Sequence, residues 1–247
     1  MEKVCIITGA ANGIGRQVCE SFLEIGYECI CIDYDKEHLT ELKNDNENIH
    51  ILNYDLMVED NYKLLITDIG RIIKGAKEIT LVNNLGGSNA SYKYVKIWDN
   101  YFDTIYFNLK CLVELTEEMI PYMKEARHGR IVNISSISGR FNLETINEDY
   151  AAAKASIIGY SRIKATKLSK YGILVNTICP GIIETKRMKK RWEERDQEYN
   201  NKILQTIPLG RLGKPEEVAK AVRFLGGDDN TYITGAILDV NGGMYMP

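Results

Sequence analysis

The stretch KVCIITGAANGIG, Lys3 to Gly15, decides how the rest of the chain reads. Its first half is a short apolar run of the kind that forms a buried strand. Its second half sets Gly9, Gly13 and Gly15 just before a helical pattern that runs from Arg16 to about Ile25. A second apolar run, YECICID, follows Gly26 and ends at Asp33. Strand, glycine-rich turn, helix and strand make a βαβ unit. Glycines serve a physical need there: a tight turn, close approach of backbone to a pyrophosphate, and an open helix N-terminus that attracts anions. Asp33 stands roughly 20 residues beyond the loop, where a carboxylate accepts hydrogen bonds from an adenosine ribose.

The alternation continues to the carboxyl end. NIHILNYD, EITLVNN, GRIVNISS and ILVNTICPG read as strands, and AILDVNGG as the last one. Helical patterns lie between them at residues 60–75, from Ile97 to Lys124 with a stop or kink near Pro121, and at 150–170. The helix opening at KPEEVAKAVRFL has proline in its first turn and two glutamates near its positive end. Nearly every strand is a continuous apolar run, as a parallel sheet covered by helices on both faces requires. The expectation is one α/β domain over residues 1–247, built on a doubly wound parallel sheet. Ligands of such sheets bind at the carboxyl ends of the strands, where Asp55, Asn83 and Asn84 join Asp33. Asp55 also reads as a turn cap, and Asn83 as a tie between strands.

Composition narrows the function classes. Hydrophobic residues make up 45% and charged residues 26%, which is ordinary for a globular protein. A net charge of -3 gives no reason to expect nucleic acid. No apolar run reaches membrane-spanning length, and no signal-peptide pattern opens the chain, so a cytoplasmic location is expected. The 6 cysteines are scattered and sit mostly in apolar runs, which suits a reducing compartment. His38, His50 and His128 are too dispersed to suggest a metal.

Tyr150 and Lys154, in YAAAK, stand four apart on a helical pattern and therefore share a face. On a wet face the pair means little. In a cleft, an ammonium beside a phenol favours the phenolate and makes tyrosine a usable acid or base.

Read in order over essentially the whole chain, several motifs resemble those of the short-chain dehydrogenase/reductase family. They are TGAANGIG, Asp55-Leu56, NNLGG, Asn108 in YFNLK, IVNISS, YAAAK, NTICPGIIET, PLGRLGKPEEVA and ITGAILDVNGG. Within the family the chain is similar to 3-oxoacyl-carrier-protein reductases and small alcohol or sugar dehydrogenases. The resemblance implies a Rossmann-like fold and a nicotinamide-dependent oxidoreductase that interconverts a secondary alcohol and a ketone. It implies Tyr150 as general acid or base, Lys154 as its partner on the nicotinamide ribose, and Ser136 as the hydroxyl that polarises the substrate oxygen. Asn108 would hold a water that completes the proton path. Ser138 is the alternate donor, because the gap from Ser136 to Tyr150 is slightly longer than usual. Cofactor contacts are implied at Gly9, Asn12, Gly13, Ile14, Gly15, Asp33, Tyr34, Asp55, Leu56, Asn83, Asn84, Leu85, Gly86, Tyr150, Lys154, Pro180, Gly181, Ile183 and Thr185. Leu85 departs from the alanine usual at its position.

NAD is the expected cofactor. Asp33 would repel a 2′-phosphate, Tyr34 and Asp35 add no positive charge, and Asn12 is neutral. Arg16, the nearby cation, is expected to favour pyrophosphate or a surface carboxylate. The alternatives are a 3-oxoacyl thioester reductase using NADPH and a catalytically silent nucleotide-binding subunit. Substrate loops are implied at residues 86–94, 139–149 and 184–208, the last as a small lid. Its basic run, Lys186, Arg187, Lys189, Lys190 and Arg191, reads as a solvated face or as a rim for an anionic or thioester-linked substrate. Tyr101, Ile105, Leu109, Leu112 and Leu115 are read as apolar surface beyond one inward stripe, which with the resemblance implies a homotetramer and a dimer as its alternative.

Overall fold

Parallel pairing throughout joins seven strands in the computed structural model, which describes residues 2–44, 46–87, 97–141 and 147–247. The strands are β1 (Lys3–Thr8), β2 (Glu28–Asp33), β3 (Ile49–Asn53), β4 (Glu78–Asn83), β5 (Gly129–Ile134), β6 (Ile173–Pro180) and β7 (Ile237–Val240). Their order is β3-β2-β1-β4-β5-β6-β7. The chain starts in the middle, winds out to β3, then crosses to β4 on the other side of β1. That reversal opens a crevice between the carboxyl ends of β1 and β4, which is where a doubly wound sheet binds its ligand.

The unbroken apolar runs follow from burial on both faces. Cys5, Ile7, Cys29 and Cys31 enter one core with helices α1 (Gly13–Leu23) and α9 (Pro215–Gly226). Their neighbours Val4, Ile6, Ile30 and Ile32 enter the other, with α3 (Glu59–Ile72) and α5 (Cys111–Ala126). Alternate residues of one strand thus supply opposite layers. All six cysteines are buried and free. At the amino edge of the sheet, Lys3 pairs with Glu78 and Asp228, and Tyr27 donates to Asp228. Among the described residues no helix is long and apolar enough to cross a membrane.

Several elements differ from expectation. Helix α1 begins at Gly13, so the glycine loop runs directly into its first turn. A short helix, α2 (Lys36–Lys43), was not expected; Asp35 caps it by accepting from the His38 N–H. Proline 121 does not end a helix. The interruption falls earlier, at a π-helical turn (Tyr106–Lys110) between α4 (Ile97–Ile105) and α5. Leu112 and Leu115 are buried, Leu115 within the core, and it is Trp98 and Phe102 that stand exposed. Helix α6 (Glu148–Leu168) carries Tyr150 and Lys154. Two helices, α7 (Lys186–Glu193) and α8 (Gln197–Gln205), form the segment after β6.

Asn83 ties layers together. Its amide donates to Thr116 Oγ1 at 3.0 Å and to Asn133 Oδ1 at 2.8 Å, and Asn133 in turn donates to Ser161 Oγ at 2.9 Å. Sheet, α5 and α6 are linked through this buried chain. Asn83→Ala is expected to cost about 1–2 kcal/mol, because it strips buried acceptors of their donor. In calorimetry this should lower Tm by roughly 2–8 °C.

Candidate active site

The crevice is built from backbone and small side chains. Gly9 adopts a φ of 65° and donates its N–H to Ile32 O at 2.8 Å. A Cβ on Gly15 would lie 2.1 Å from Gly9 O, so the first turn of α1 folds tightly back on the loop. Asn84 closes the other wall, donating to Thr8 O and Gly9 O, both at 3.0 Å. Thr8 Oγ1 accepts from the N–H groups of Asn84 and Leu85. Asn12 caps α1 without a side-chain hydrogen bond, and Ile14 packs on the core beneath. The loop therefore offers the cradle that a pyrophosphate needs.

At the end of β2, Asp33 Oδ2 accepts from Ala11 N and Oδ1 from Asp35 N, each at 3.1 Å. Tyr34 beside it is exposed. Asp55 caps a turn, accepting from Met57 N at 2.9 Å, and Leu56 is buried. Arg16 lies with surface carboxylates, 3.3 Å from Glu20 and 3.9 Å from Glu41.

The chemistry-bearing side chains meet at the ends of β4 and β5. Ser136 sits just beyond β5 in extended conformation and caps the turn Ile137–Gly139. Its hydroxyl lies 3.1 Å from Ser138 Oγ, and it favours ionisation of the neighbouring Tyr150 phenol. Asp149 fixes the start of α6 by accepting from Tyr150 N at 2.8 Å and from Thr104 Oγ1 at 2.5 Å. Asn108, in the π-helical turn, clasps Gly87, donating to its carbonyl at 2.9 Å and accepting from its N–H at 3.0 Å. A Cβ on Gly86 would lie 2.6 Å from Asn108 Oδ1 and 2.8 Å from Lys154 Nζ, so that backbone has to be bare.

Lys154 shares the helical face of Tyr150 and reaches the end of β5. Its ammonium donates to Ile134 O at 3.1 Å and lies 5.7 Å from the Tyr150 ring centre. Burial pushes the Tyr150 phenol up; the Ser136 hydrogen bond and the positive charges of Arg187 and Arg191 pull it back. Burial also brings the Lys154 ammonium from 10.5 down to about 8.

After β6 the chain turns at Pro180. Gly181 donates to Val240 O, and Ile183 bridges to Gly213. Thr185 caps α7 by accepting from Met188 N at 3.2 Å, and its methyl would lie 3.1 Å from a Cβ on Gly13. The basic run divides by face. Lys189 and Lys190 lie near Glu184 and Glu194. Arg187 reaches Gly87, where its guanidinium would be 2.7 Å from an added Cβ. Residues 88–94 and 142–146 of the expected substrate loops lie outside the described residues. Sequence reasoning missed Thr8, Thr104 and Asp149. Only Thr8 carried a signal, being adjacent to the first glycine of the loop.

A family profile described as enoyl-(acyl carrier protein) reductase matches residues 9–245. The chain is 35% identical to the 3-oxoacyl-[acyl-carrier-protein] reductase FabG of Thermotoga maritima, over 99% of this chain and 98% of that one. It is 32% identical to the acetoacetyl-CoA reductase of Rhizobium meliloti, over the full length of both. Among solved structures, ElxO with NADP bound superposes with a TM-score of 0.88 at 29% identity, covering 99% of each chain. A Tyr-to-Phe variant of ElxO has NADPH bound.

These relatives overturn the expectation of an NAD(H)-dependent enzyme. The charge argument fails for a physical reason: both Asp33 oxygens already accept backbone N–H groups, so the carboxylate braces the loop and its charge is partly offset.

A buried lysine carries a stability consequence. Below pH 8 the folded protein holds a proton that burial disfavours, whereas the unfolded chain keeps it up to 10.5. Between those values the unfolded state binds more protons, so stability of the cofactor-free protein rises with pH. Lys154→Met is therefore expected to stabilise it at pH 7 by about 1–3 kcal/mol. Calorimetry at several pH values should show the gain shrinking as pH approaches 10.5; a gain constant with pH would contradict the charge argument.

Proposed function

Because the chain belongs to the short-chain dehydrogenase/reductase family, we propose that it is an NADPH-dependent reductase of 3-oxoacyl thioesters. The observation that carries this reading is the Tyr150–Ser136 pair beside the glycine cradle. NADPH, when bound, supplies the hydride. Gly9, Gly13 and Gly15 would hold its pyrophosphate at the start of α1, with Thr185 over Gly13. The ketone oxygen lies between Ser136 Oγ and the Tyr150 hydroxyl; Ser136 donates a hydrogen bond to it as negative charge develops, and Tyr150 gives it a proton. Lys154, buried and titrating near neutrality, is placed to hold the nicotinamide ribose and return the proton to Tyr150. Asn108, clasping Gly87, keeps the β4 loop clear of this path. Ser136 is taken as the donor rather than Ser138 because it is the serine that influences the Tyr150 phenol. Residues 184–208 form a cover that excludes water.

The substrate assignment draws on the relatives named for 3-oxoacyl-carrier-protein and acetoacetyl-CoA reduction. A cytoplasmic location fits six free cysteines. A homotetramer fits two groups among the exposed apolar side chains: Trp98 and Phe102 on α4, and Phe224 and Leu238 on α9 and the edge strand β7.

The test is NADPH oxidation, followed by nicotinamide absorbance, with acetoacetyl-CoA and with simple ketones. Turnover of the thioester is expected, and Tyr150→Phe should lower kcat by roughly 10² or more. Failure to turn over the thioester with NADPH would sink the reading. Light scattering should give four times the chain mass, and Leu238→Lys should reduce it to a dimer by breaking the pairing across β7. A monomer mass for the unmutated protein would refute the assembly.

A further inference from the structure

We infer that Lys186 and His38 form the pocket for the 2′-phosphate of NADPH, across the groove from the glycine loop. The inference rests on the NADPH reading above and supplies what the sequence around Asp33 lacks. In a doubly wound sheet the adenosine 2′-oxygen lies at the carboxyl end of β2, beside Asp33. No basic residue follows Asp33 directly before Lys36, and Arg16 is engaged by Glu20 and Glu41. Positive charge arrives from elsewhere in the fold.

A continuous chain of contacts leads to it. Asp33 Oδ1 accepts from Asp35 N at 3.1 Å, and Asp35 Oδ1 accepts from His38 N at 3.2 Å. Asp35 Oδ2 meets His38 Nδ1 at 2.7 Å, which fixes the ring and turns its other nitrogen outward. There, His38 Nε2 lies 3.4 Å from Lys186 Nζ. Lys186 comes from the first turn of α7, whose capping residue Thr185 packs on Gly13 of the loop. The lysine thus bridges from the pyrophosphate side of the groove to α2 at the ribose side.

The chemistry of the contact favours an anion. Lysine offers three donors and no acceptor, and a phosphate oxygen accepts from both an ammonium and an imidazole N–H. In its absence the two nitrogens share one long hydrogen bond, with Nδ1–H donated to Asp35. With a phosphate between them, the proton carried by the phosphate monoanion passes to Nε2, so both nitrogens donate to oxygen while Asp35 continues to hold the ring at Nδ1–H. The charge balance is set by groups on three elements: Asp33 on β2, Asp35 and His38 at α2, and Lys186 on α7. Asp33 and Asp35 are already turned to donors within the protein, so the face left toward the ligand is the basic one.

The probes are adenosine 2′,5′-bisphosphate and adenosine 5′-monophosphate, which differ only in the 2′-phosphate, titrated calorimetrically into the full-length protein. The unmutated protein is expected to prefer the bisphosphate by about tenfold or more, as one or two charge-assisted contacts would give. Lys186→Ala and His38→Ala should each cut that ratio several-fold, the double variant should abolish it, and Lys186→Arg should keep most of it. Binding of the monophosphate reports that each variant remains folded. If the unmutated protein favours the bisphosphate and the double variant keeps the full ratio, the inference falls and the NADPH reading stands. If the unmutated protein shows no preference, the NADPH reading falls and the inference with it.

Discussion

Asn84 hydrogen-bonded to the carbonyls of Thr8 and Gly9 is the contact on which the crevice depends. Twisted parallel strands diverge at their ends, and the loops after β1 and β4 would separate without a tie. The amide of Asn84 and the hydroxyl of Thr8 bind them reciprocally, so that Gly9 keeps its left-handed backbone and Gly15 can touch it. The position of the loop relative to Gly86 and Gly87 then follows. Those two glycines lie against Asn108, Lys154 and Arg187, and so help set the distance between the glycine loop and the start of α6.

The cost of the site is electrostatic. A buried ammonium is held by a carbonyl at the end of β5, and a half-buried phenol stands on the same helical face. Neither would be chosen for stability. Arginine enters the balance as well: Arg187 and Arg191 both favour ionised Tyr150, and burial together with Arg187 and Arg195 holds the Arg191 guanidinium below its ordinary value. Like charges gathered around the phenol oppose one another, and they lower the cost of negative charge on it.

Much of this was legible in the sequence. Unbroken apolar runs announced a sheet covered on both faces, and the glycine loop before a helix located the crevice. What stayed hidden was local or long-range. Helix α2 buries only Leu39 and Leu42, too few for a helical period to stand out in eight residues. The π-helical turn changes the backbone within a run that remains apolar and helical in pattern, and Pro121 drew attention away from it. Asp33 was read from its position at the end of a strand, and its charge was read as free. A residue letter gives the sign of a carboxylate and says nothing of the N–H groups that reach it from Ala11 and Asp35.

The start of α7 shows why such information has to come from three dimensions. Consecutive helical residues project about 100° apart, so Thr185, Lys186 and Arg187 point to three different places. They meet Gly13 of the phosphate loop, His38 of α2 and Gly87 beside Asn108. These partners span the groove from the glycine loop past the end of β2 to the loop after β4, and no two of them are neighbours in sequence. A charge that is only one of five in a basic run therefore takes its meaning from its turn of the helix: Lys189 and Lys190 lie near glutamates on the outer side, while Lys186 and Arg187 face the groove. Composition cannot make that distinction, because all of these side chains carry the same charge.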